Sequence, residues 1–244
     1  MRKWVTTLLT IAAVVAAGAV TALAPAAAAT HRVSHSPAAM RKQLAALVAR
    51  GATDAQIRQA TGLRRVSTTG RAPMSTNSAV TLSTPGIYYD SQAHYYYVTA
   101  TWNFTKSPPD GGEQKGQDGF GVSFSRQINN MGGSLFVCAK NGSTTTNICE
   151  YADNYASNNA YGAGWTFSNF VPLTGGFFAA GHGSMVFAFK LLSSGCLQTF
   201  TQYAHSWSST SVTGVSVGKW SVGVSWRSSG HQWTKASAAG KLGC

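Results

Sequence analysis

The pattern of hydrophobic and polar positions changes once along the chain, between residues 70 and 78. Before that boundary, Met40, Leu44, Leu47 and Val48 recur at the spacing of one helix face. After it, apolar and polar residues alternate with a period of two, which is typical of strands that are buried on one side. The chain is therefore predicted to combine a short helical segment with a larger all-β domain.

Local signals mark the ends of two helices in the first segment. Ser36 followed by Pro37 has the form of an N-cap with proline at the first helical position. Thr53 and Gln56 have the spacing of a capping box, and Gly62 predicts the end of the second helix.

The all-β domain is predicted to span residues 78–244, and no part of it has convincing helical periodicity. Many short alternating segments separated by Gly, Ser, Asn and Pro predict an antiparallel β-sandwich, or a barrel-like arrangement of the same strands. The five clearest apolar faces are Tyr96, Val98, Ala100, Trp102 and Phe104; Phe120, Val122 and Phe124; Leu135 and Val137; Met185, Phe187, Phe189 and Leu191; and Trp220, Val222, Val224 and Trp226.

The first 29 residues have the organisation of a secretory signal peptide. Arg2 and Lys3 precede an apolar stretch at 8–20, and small residues lead to a cleavage site near Ala29. No twin arginine is present, so the general secretory route is expected. We therefore expect a secreted, extracellular protein whose mature chain has no stable membrane span.

Net charge alone suggests a nucleic-acid partner, but its distribution does not. The chain carries +12, yet residues 1–72 hold ten of the nineteen basic residues and one acid. Residues 73–244 carry a net charge of only +3. The stretch at 47–71 resembles a helix-turn-helix module, but export argues against DNA binding. We interpret residues 30–72 as a basic helical pro-region or arm with a linker, able to contact anionic wall polymers.

Four cysteines in an exported chain predict two disulfides. Cys138 and Cys149 flank a segment with a hairpin-type Asn-Gly turn, which favours a bond between them. Cys196 and Cys244 would form the second bond, although sequence alone leaves all three pairings open. No metal-binding spacing occurs, so no metal site is predicted.

The acidic residues of the β domain allow two chemical hypotheses. Glu150 or Asp153, together with another acid, could supply the two carboxylates of a glycosidase-like hydrolase. Asp110, Glu113 and Asp118 lie in one loop and could hold calcium, although their spacing matches no established calcium loop. Solvated turn carboxylates are the simpler interpretation of both groups, and we otherwise expect no cofactor.

A formal Gly-x-Ser-x-Gly sequence surrounds Ser216, but its flanks alternate like strands. We interpret it as a β-hairpin that turns near Gly218 and Lys219, with Ser216 an ordinary strand residue.

The surplus of aromatic residues suggests a ligand platform. Tyr95 and Tyr97 are predicted on the face opposite the core face of their strand. Tyr203, His205 and Trp207 share one face of another predicted strand. Such rings pack against apolar ligand surface and also form hydrogen bonds. These five residues are the predicted ligand-binding site.

The function predicted from sequence is non-catalytic binding outside the cell, with a glycan, a wall polymer or a protein as partner and no nucleic acid. A secreted hydrolase is one alternative. A secreted protein inhibitor or toxin, using the loop at 138–149, is another. The binding site is wrong if its rings belong to the core or are covered by the loop at 151–165.

Overall fold

The computed structural model describes most of the chain beyond the predicted leader. The described residues are 35–69, 78–106, 116–139, 148–152, 155–171, 177–178 and 180–244. The predicted signal peptide, Asp110, Glu113, Asp153 and the turn after Cys138 lie outside them.

Both predicted helices form, and their ends follow the local signals. Helix α1 is Pro37–Ala49, and the Ser36 side chain accepts a hydrogen bond from the Ala39 N–H. Helix α2 is Asp54–Thr61, and it begins with the predicted capping box of Thr53 and Gln56. In the described residues, no helix is long and apolar enough to cross a membrane.

The rest of the described chain forms strands joined by turns. In chain order they are β1 (Arg64–Arg65), β2 (Thr68–Thr69), β3 (Val80–Leu82), β4 (Gly86–Asp90), β5 (Tyr95–Phe104), β6 (Gln117–Phe124), β7 (Ile128–Ala139), β8 (Ile148–Ala152), β9 (Tyr155–Asn159), β10 (Gly162–Ser168), β11 (Phe170–Val171), β12 (Phe177–Phe178), β13 (His182–Leu191), β14 (Leu197–Ser206), β15 (Val212–Gly218), β16 (Ser221–Trp226), β17 (Gln232–Ala236) and β18 (Gly240–Leu242).

Within the described residues, two seven-stranded antiparallel sheets account for most of these strands, which confirms the predicted all-β sandwich. Sheet 1 has the order β1-β4-β5-β13-β7-β8, with β3 also paired to β5. Sheet 2 has the order β2-β18-β14-β6-β10-β9, with β17 also paired to β14. The segment at 151–165, expected as a covering loop, instead contributes strands to both sheets.

The main core lies between the inner faces of the two sheets. Trp102 of sheet 1 is buried against Phe120 and Tyr203 of sheet 2, with ring centroids 5.0 and 5.4 Å away. The predicted apolar faces of β5, β6, β7 and β13 all contribute to this cluster. Period-two alternation therefore identified these inner faces correctly.

Helix α1 covers the outer face of sheet 1 and builds a second core. Met40 and Leu44 are fully buried against Tyr97 and Val186 of the sheet. The Ser184 hydroxyl donates a 3.2 Å hydrogen bond to the Ala45 carbonyl of the helix. The described part of residues 30–72 therefore belongs to the packed domain and does not project as a separate arm.

A two-stranded hairpin of β15 and β16 covers the outer face of sheet 2. Its valines pack towards the sheet, with Val212 and Val215 buried, and its serines face outwards. The hairpin lies so close to β6 of sheet 2 that position 121 must be glycine. A Cβ there would lie 2.6 Å from a Val222 methyl carbon. Ser216 is an exposed strand residue of this hairpin, as predicted for the Gly-x-Ser-x-Gly sequence.

Two disulfides join Cys138 to Cys149 and Cys196 to Cys244, which is the favoured pairing. The first links neighbouring strands β7 and β8, and the second ties the last residue to the start of β14. Both bonds fit an oxidising compartment.

Truncating the helix–sheet contact should destabilise the whole domain. We expect Leu44→Ala to lower the free energy of unfolding by about 2–5 kcal/mol, because it leaves a cavity between α1 and sheet 1. Urea unfolding of the oxidised protein measures this change. Lys42→Ala, on the exposed side of the same helix, should cost less than about 1 kcal/mol. Equal, small effects of both variants would contradict the packing of α1.

Candidate functional site

The two predicted rings of β5 do not form an exposed platform. Tyr97 is fully buried beneath α1, where loss of solvation raises the pKa of its hydroxyl above the ordinary tyrosine value. Tyr95 is half-buried, and the Lys190 Nζ lies 4.5 Å from the centre of its ring. The prediction of a ligand surface at Tyr97 is therefore corrected by the burial of its side chain.

The predicted face of β14 points into the sandwich. Tyr203 and His205 are fully buried and both contact Asp118, whose Oδ2 lies 2.7 Å from the Tyr203 hydroxyl and 2.9 Å from the His205 Nδ1. Asp118 Oδ1 accepts hydrogen bonds from the Asn169 amide and the Ser206 N–H. Burial, together with the neighbouring carboxylate, raises the pKa of Tyr203 well above its ordinary value.

This polar network explains why the face of β14 that carries Tyr203 and His205 is buried although its sequence predicts an exposed surface. Its Thr, Tyr and His residues have the polarity of an exposed surface, but each buried polar group needs a partner inside the fold. Asp118 supplies that partner to Tyr203 and His205 from β6, 85 and 87 residues earlier in the chain. A period-two pattern cannot show such a long-range partner.

Trp207 lies at the outer end of the β14 row. Its ring is half-buried, stacks on His205 at 5.6 Å and meets the ring of His231 edge-on. The five predicted platform residues are thus divided between a helix-covered face, the sandwich interior and one end of β14. They share no exposed surface.

Of the acids named in the hydrolase and calcium hypotheses, the structure describes only Glu150 and Asp118. Glu150 is exposed on β8, and the alternative hydrolase acid Asp153 lies outside the described residues. Asp118 is fully buried with its carboxylate bound by protein groups, whereas Asp110 and Glu113 also lie outside. The hydrolase and calcium hypotheses therefore stay predictions, but Asp118 offers no exposed calcium ligand.

A different site lies where the helical segment meets the edge of sheet 1. A cleft of about 270 Å³ is lined by Arg58, Gly62, Arg64, Tyr89 and Ser91. Both arginines are exposed, and neither guanidinium has a salt bridge or side-chain hydrogen bond within the described part of the chain. Among the described residues, the cleft therefore presents two positive charges without an ion-pair partner, beside a tyrosine ring and a serine.

Local structure brings the two arginines together. Arg58 lies in the last turn of α2, and Gly62 ends that helix with φ at 76°, a left-handed conformation that glycine adopts without strain. The chain then enters β1, where Arg64 is the antiparallel partner of Tyr89 on β4. The reversal at Gly62 thus places a helix cation and a strand cation on one cleft.

The next residue, Arg65, points away and is neutralised. Its Nη1 lies 3.1 Å from Asp54 Oδ2, and the Tyr88 hydroxyl donates a 2.6 Å hydrogen bond to Asp54 Oδ1. Burial acts to raise the pKa of Asp54, but the bonds from Tyr88 and Arg65 outweigh it and hold that pKa below its ordinary value. Of the two arginines of β1, Arg65 is thus paired, whereas Arg64 has no ion-pair partner within the described ranges.

Asp90 holds the turn that forms the far wall of the cleft. Its Oδ1 accepts hydrogen bonds from the Gln92 and Ala93 N–H groups, and its Oδ2 lies 2.8 Å from the His35 Nδ1. Burial alone would raise the pKa of Asp90, but these hydrogen bonds lower it overall. The turn that carries Ser91 is thus fixed by a buried carboxylate.

The tyrosine that lines the cleft packs against other aromatic rings of sheet 1. The Tyr89 ring lies 4.8 Å from Tyr96, which stacks on Phe189 of the main core at 5.4 Å. The Tyr89 hydroxyl is 2.9 Å from the exposed His94 ring. A rigid tyrosine with two adjacent guanidinium groups can stack on a sugar ring while the arginines bind carboxylate, phosphate or sulfate oxygens.

In the sequence, Arg58 and Arg64 stand out only as members of the basic segment at 30–72. Nothing local distinguishes Arg64 from Arg65, because the difference depends on which face of sheet 1 each side chain shares, that of Tyr89 or that of Tyr88. The usable signal was the Gly62 turn between two cationic positions, but the sequence separation of Arg64 and Tyr89 hides their contact.

Comparisons with known proteins do not identify a family. No protein-family model matches the chain, and no curated protein matches it. Among solved structures, a pore-forming protein is 8% identical, with a TM-score of 0.35, and the match covers 70% of this chain and 90% of that one. The Clostridium perfringens NetB toxin, in its membrane-inserted form, is 10% identical with a TM-score of 0.35, and the match covers 74% of this chain and 96% of the toxin. Similarities this weak support no functional assignment.

The Asp90 turn should make stability depend on acid. Because its pKa is lowered in the folded state, ionised Asp90 stabilises the fold above the ordinary carboxyl pKa of about 4. That contribution is lost as pH falls through the lowered folded-state pKa. We expect Asp90→Asn to lower the urea midpoint near about pH 7, and its difference from wild type to shrink below about pH 4.

Glu150→Gln provides the control, since it removes the same charge from an exposed position. It should leave the urea midpoint close to that of wild type. A constant difference between Asp90→Asn and wild type across the acid range would be incompatible with the ionised Asp90 turn.

Proposed function

We propose that this protein is a secreted, non-catalytic binding protein whose Arg58–Arg64 cleft takes an acidic group of an extracellular glycan or wall polymer. The observation that supports it most is the pair of exposed arginines without described salt-bridge partners on a cleft with a tyrosine wall. Guanidinium groups bind carboxylate and phosphate oxygens in a planar, two-pronged geometry.

The distribution of carboxylates supports an anionic partner. Asp54, four residues before Arg58, is bound to Arg65 and Tyr88, and Asp90, between Tyr89 and Ser91, is buried in its own turn. Neither is available to neutralise Arg58 or Arg64. The field at the cleft therefore attracts anions, and dissolved salt will weaken that attraction.

Removal of the two cleft charges should abolish most binding to an acidic polymer. We expect Arg58→Gln with Arg64→Gln to weaken binding to polygalacturonate or to a phosphate-bearing wall polymer by about tenfold or more, because two charge-assisted contacts are lost. Co-sedimentation measures binding, and the supernatant is assayed for released sugar.

The matched control removes two charges from the other end of the sandwich. Lys106 follows the far end of β5 and Arg227 follows β16, and both are exposed. Lys106→Gln with Arg227→Gln should change binding by less than about twofold if only long-range charge is affected. Equal losses in both double variants would reject the cleft as the site. Sugar release would favour the hydrolase alternative instead.

A further inference from the structure

Two large apolar side chains stand exposed at the end of the sandwich that carries the cleft. Leu192 is 60% exposed just after β13, and Trp220 is 43% exposed in the turn between β15 and β16. Single exposed apolar residues are ordinary, but several that gather at one end of a protein can mark an interaction surface. Their position relative to the cleft therefore matters.

Hydrogen bonds and ring contacts locate both residues at that end. The Trp220 N–H bonds to the Phe124 carbonyl at the last residue of β6. The Phe124 ring lies 5.0 Å from Phe189, which stacks on Tyr96 behind the cleft. Leu192 follows β13 three residues after Phe189, so it lies at the same end of the strands as the cleft. The Trp220 ring meets the Phe200 ring of β14 edge-on at 5.0 Å and keeps its outer part exposed.

The backbone at Trp220 is unfavourable for tryptophan. Its φ is 55°, in the left-handed region where glycine and asparagine are ordinarily found. A bulky residue in that conformation costs stability, and such outliers concentrate at functional positions. The hairpin turn therefore carries a half-exposed indole ring on a left-handed backbone.

The segment that follows Leu192 is fixed by other groups. The Arg126 guanidinium donates hydrogen bonds to the carbonyls of Ser193, Ser194 and Gly195 at 2.6–2.9 Å. The Cys196–Cys244 disulfide anchors the next residue. Leu192 is thus held outwards on a braced turn and cannot readily fold back onto the core.

Basic residues lie at the same end of the sandwich as Trp220 and Leu192. Lys219 is adjacent to Trp220, Lys190 precedes Leu192 by two residues, and Arg58 and Arg64 line the cleft. The described side-chain carboxylates nearest the cleft are Asp54, which is bound to Arg65, and Asp90, which is buried. An anionic, partly apolar surface complements this arrangement.

We propose that this end of the protein docks on an anionic lipid bilayer, with the Trp220 indole and the Leu192 side chain inserted at the level of the headgroups. Tryptophan favours that interfacial depth, because its ring is apolar and its N–H is polar. The lysines and arginines meet the negative headgroups, which attract basic residues near the surface. The proposal goes beyond binding of an acidic polymer, since Trp220 and Leu192 are not part of the cleft.

Vesicle binding by the full secreted chain tests this surface. We expect the wild-type protein to sediment with phosphatidylcholine vesicles containing about 30% phosphatidylglycerol, and binding to weaken as NaCl is raised to about 0.5 M. Trp220→Asn with Leu192→Ser should weaken vesicle binding by about tenfold or more. Asparagine suits the left-handed turn, which offsets part of the lost contact between the Trp220 and Phe200 rings, and urea unfolding of the variant checks that it is folded.

Two further variants separate this proposal from the cleft. Tyr151→Ser removes an exposed ring from β8 and should leave vesicle binding unchanged. The Trp220→Asn and Leu192→Ser protein should keep wild-type binding to polygalacturonate, which depends on Arg58 and Arg64. Wild-type vesicle affinity in that double variant, or no vesicle binding by the wild-type chain, would overturn the membrane proposal while leaving polymer binding intact.

Discussion

The burial of both faces of sheet 1 is the constraint on which the rest of the structure depends. Its inner face packs against sheet 2, and its outer face carries Tyr97 and Val186, which need a cover of their own. Helix α1 provides that cover through Met40 and Leu44. Because α2 and β1 follow α1 directly, this packing also positions Arg58 and Arg64 at the edge of the sheet.

The interior of the sandwich combines an aromatic core with a buried acidic side chain, Asp118. Asp118 is surrounded by Tyr203, His205, Asn169 and Ser206, and each of them bonds to its carboxylate. A network of this kind favours one register of β6 and β14, because a shift of either strand would leave buried polar groups without partners. The aromatic and polar residues of β14 thus serve the fold.

The exposed residues of both proposals lie elsewhere, at the end of the sandwich where a turn joins β4 to β5. There the cleft, the Trp220 turn and the Leu192 turn are carried by rigid supports: a capped helix end, a hairpin, and a disulfide-braced loop. Rigid presentation lowers the entropic cost of binding. The same end can therefore offer cations to acidic groups and apolar tips to an interface without rearrangement of the sheets.

The sequence by itself determined the local features of this protein. Capping residues fixed the helices, alternation fixed the strands and the hairpin at Ser216, and the spacing around Cys138 and Cys149 favoured the observed pairing. Tertiary structure alone decided which faces are buried. The row through Tyr203 and His205 is internal because Asp118 satisfies it, and Arg64 faces the cleft because β1 pairs with β4. Periodicity assigns residues to a face, but only long-range packing decides whether that face meets solvent.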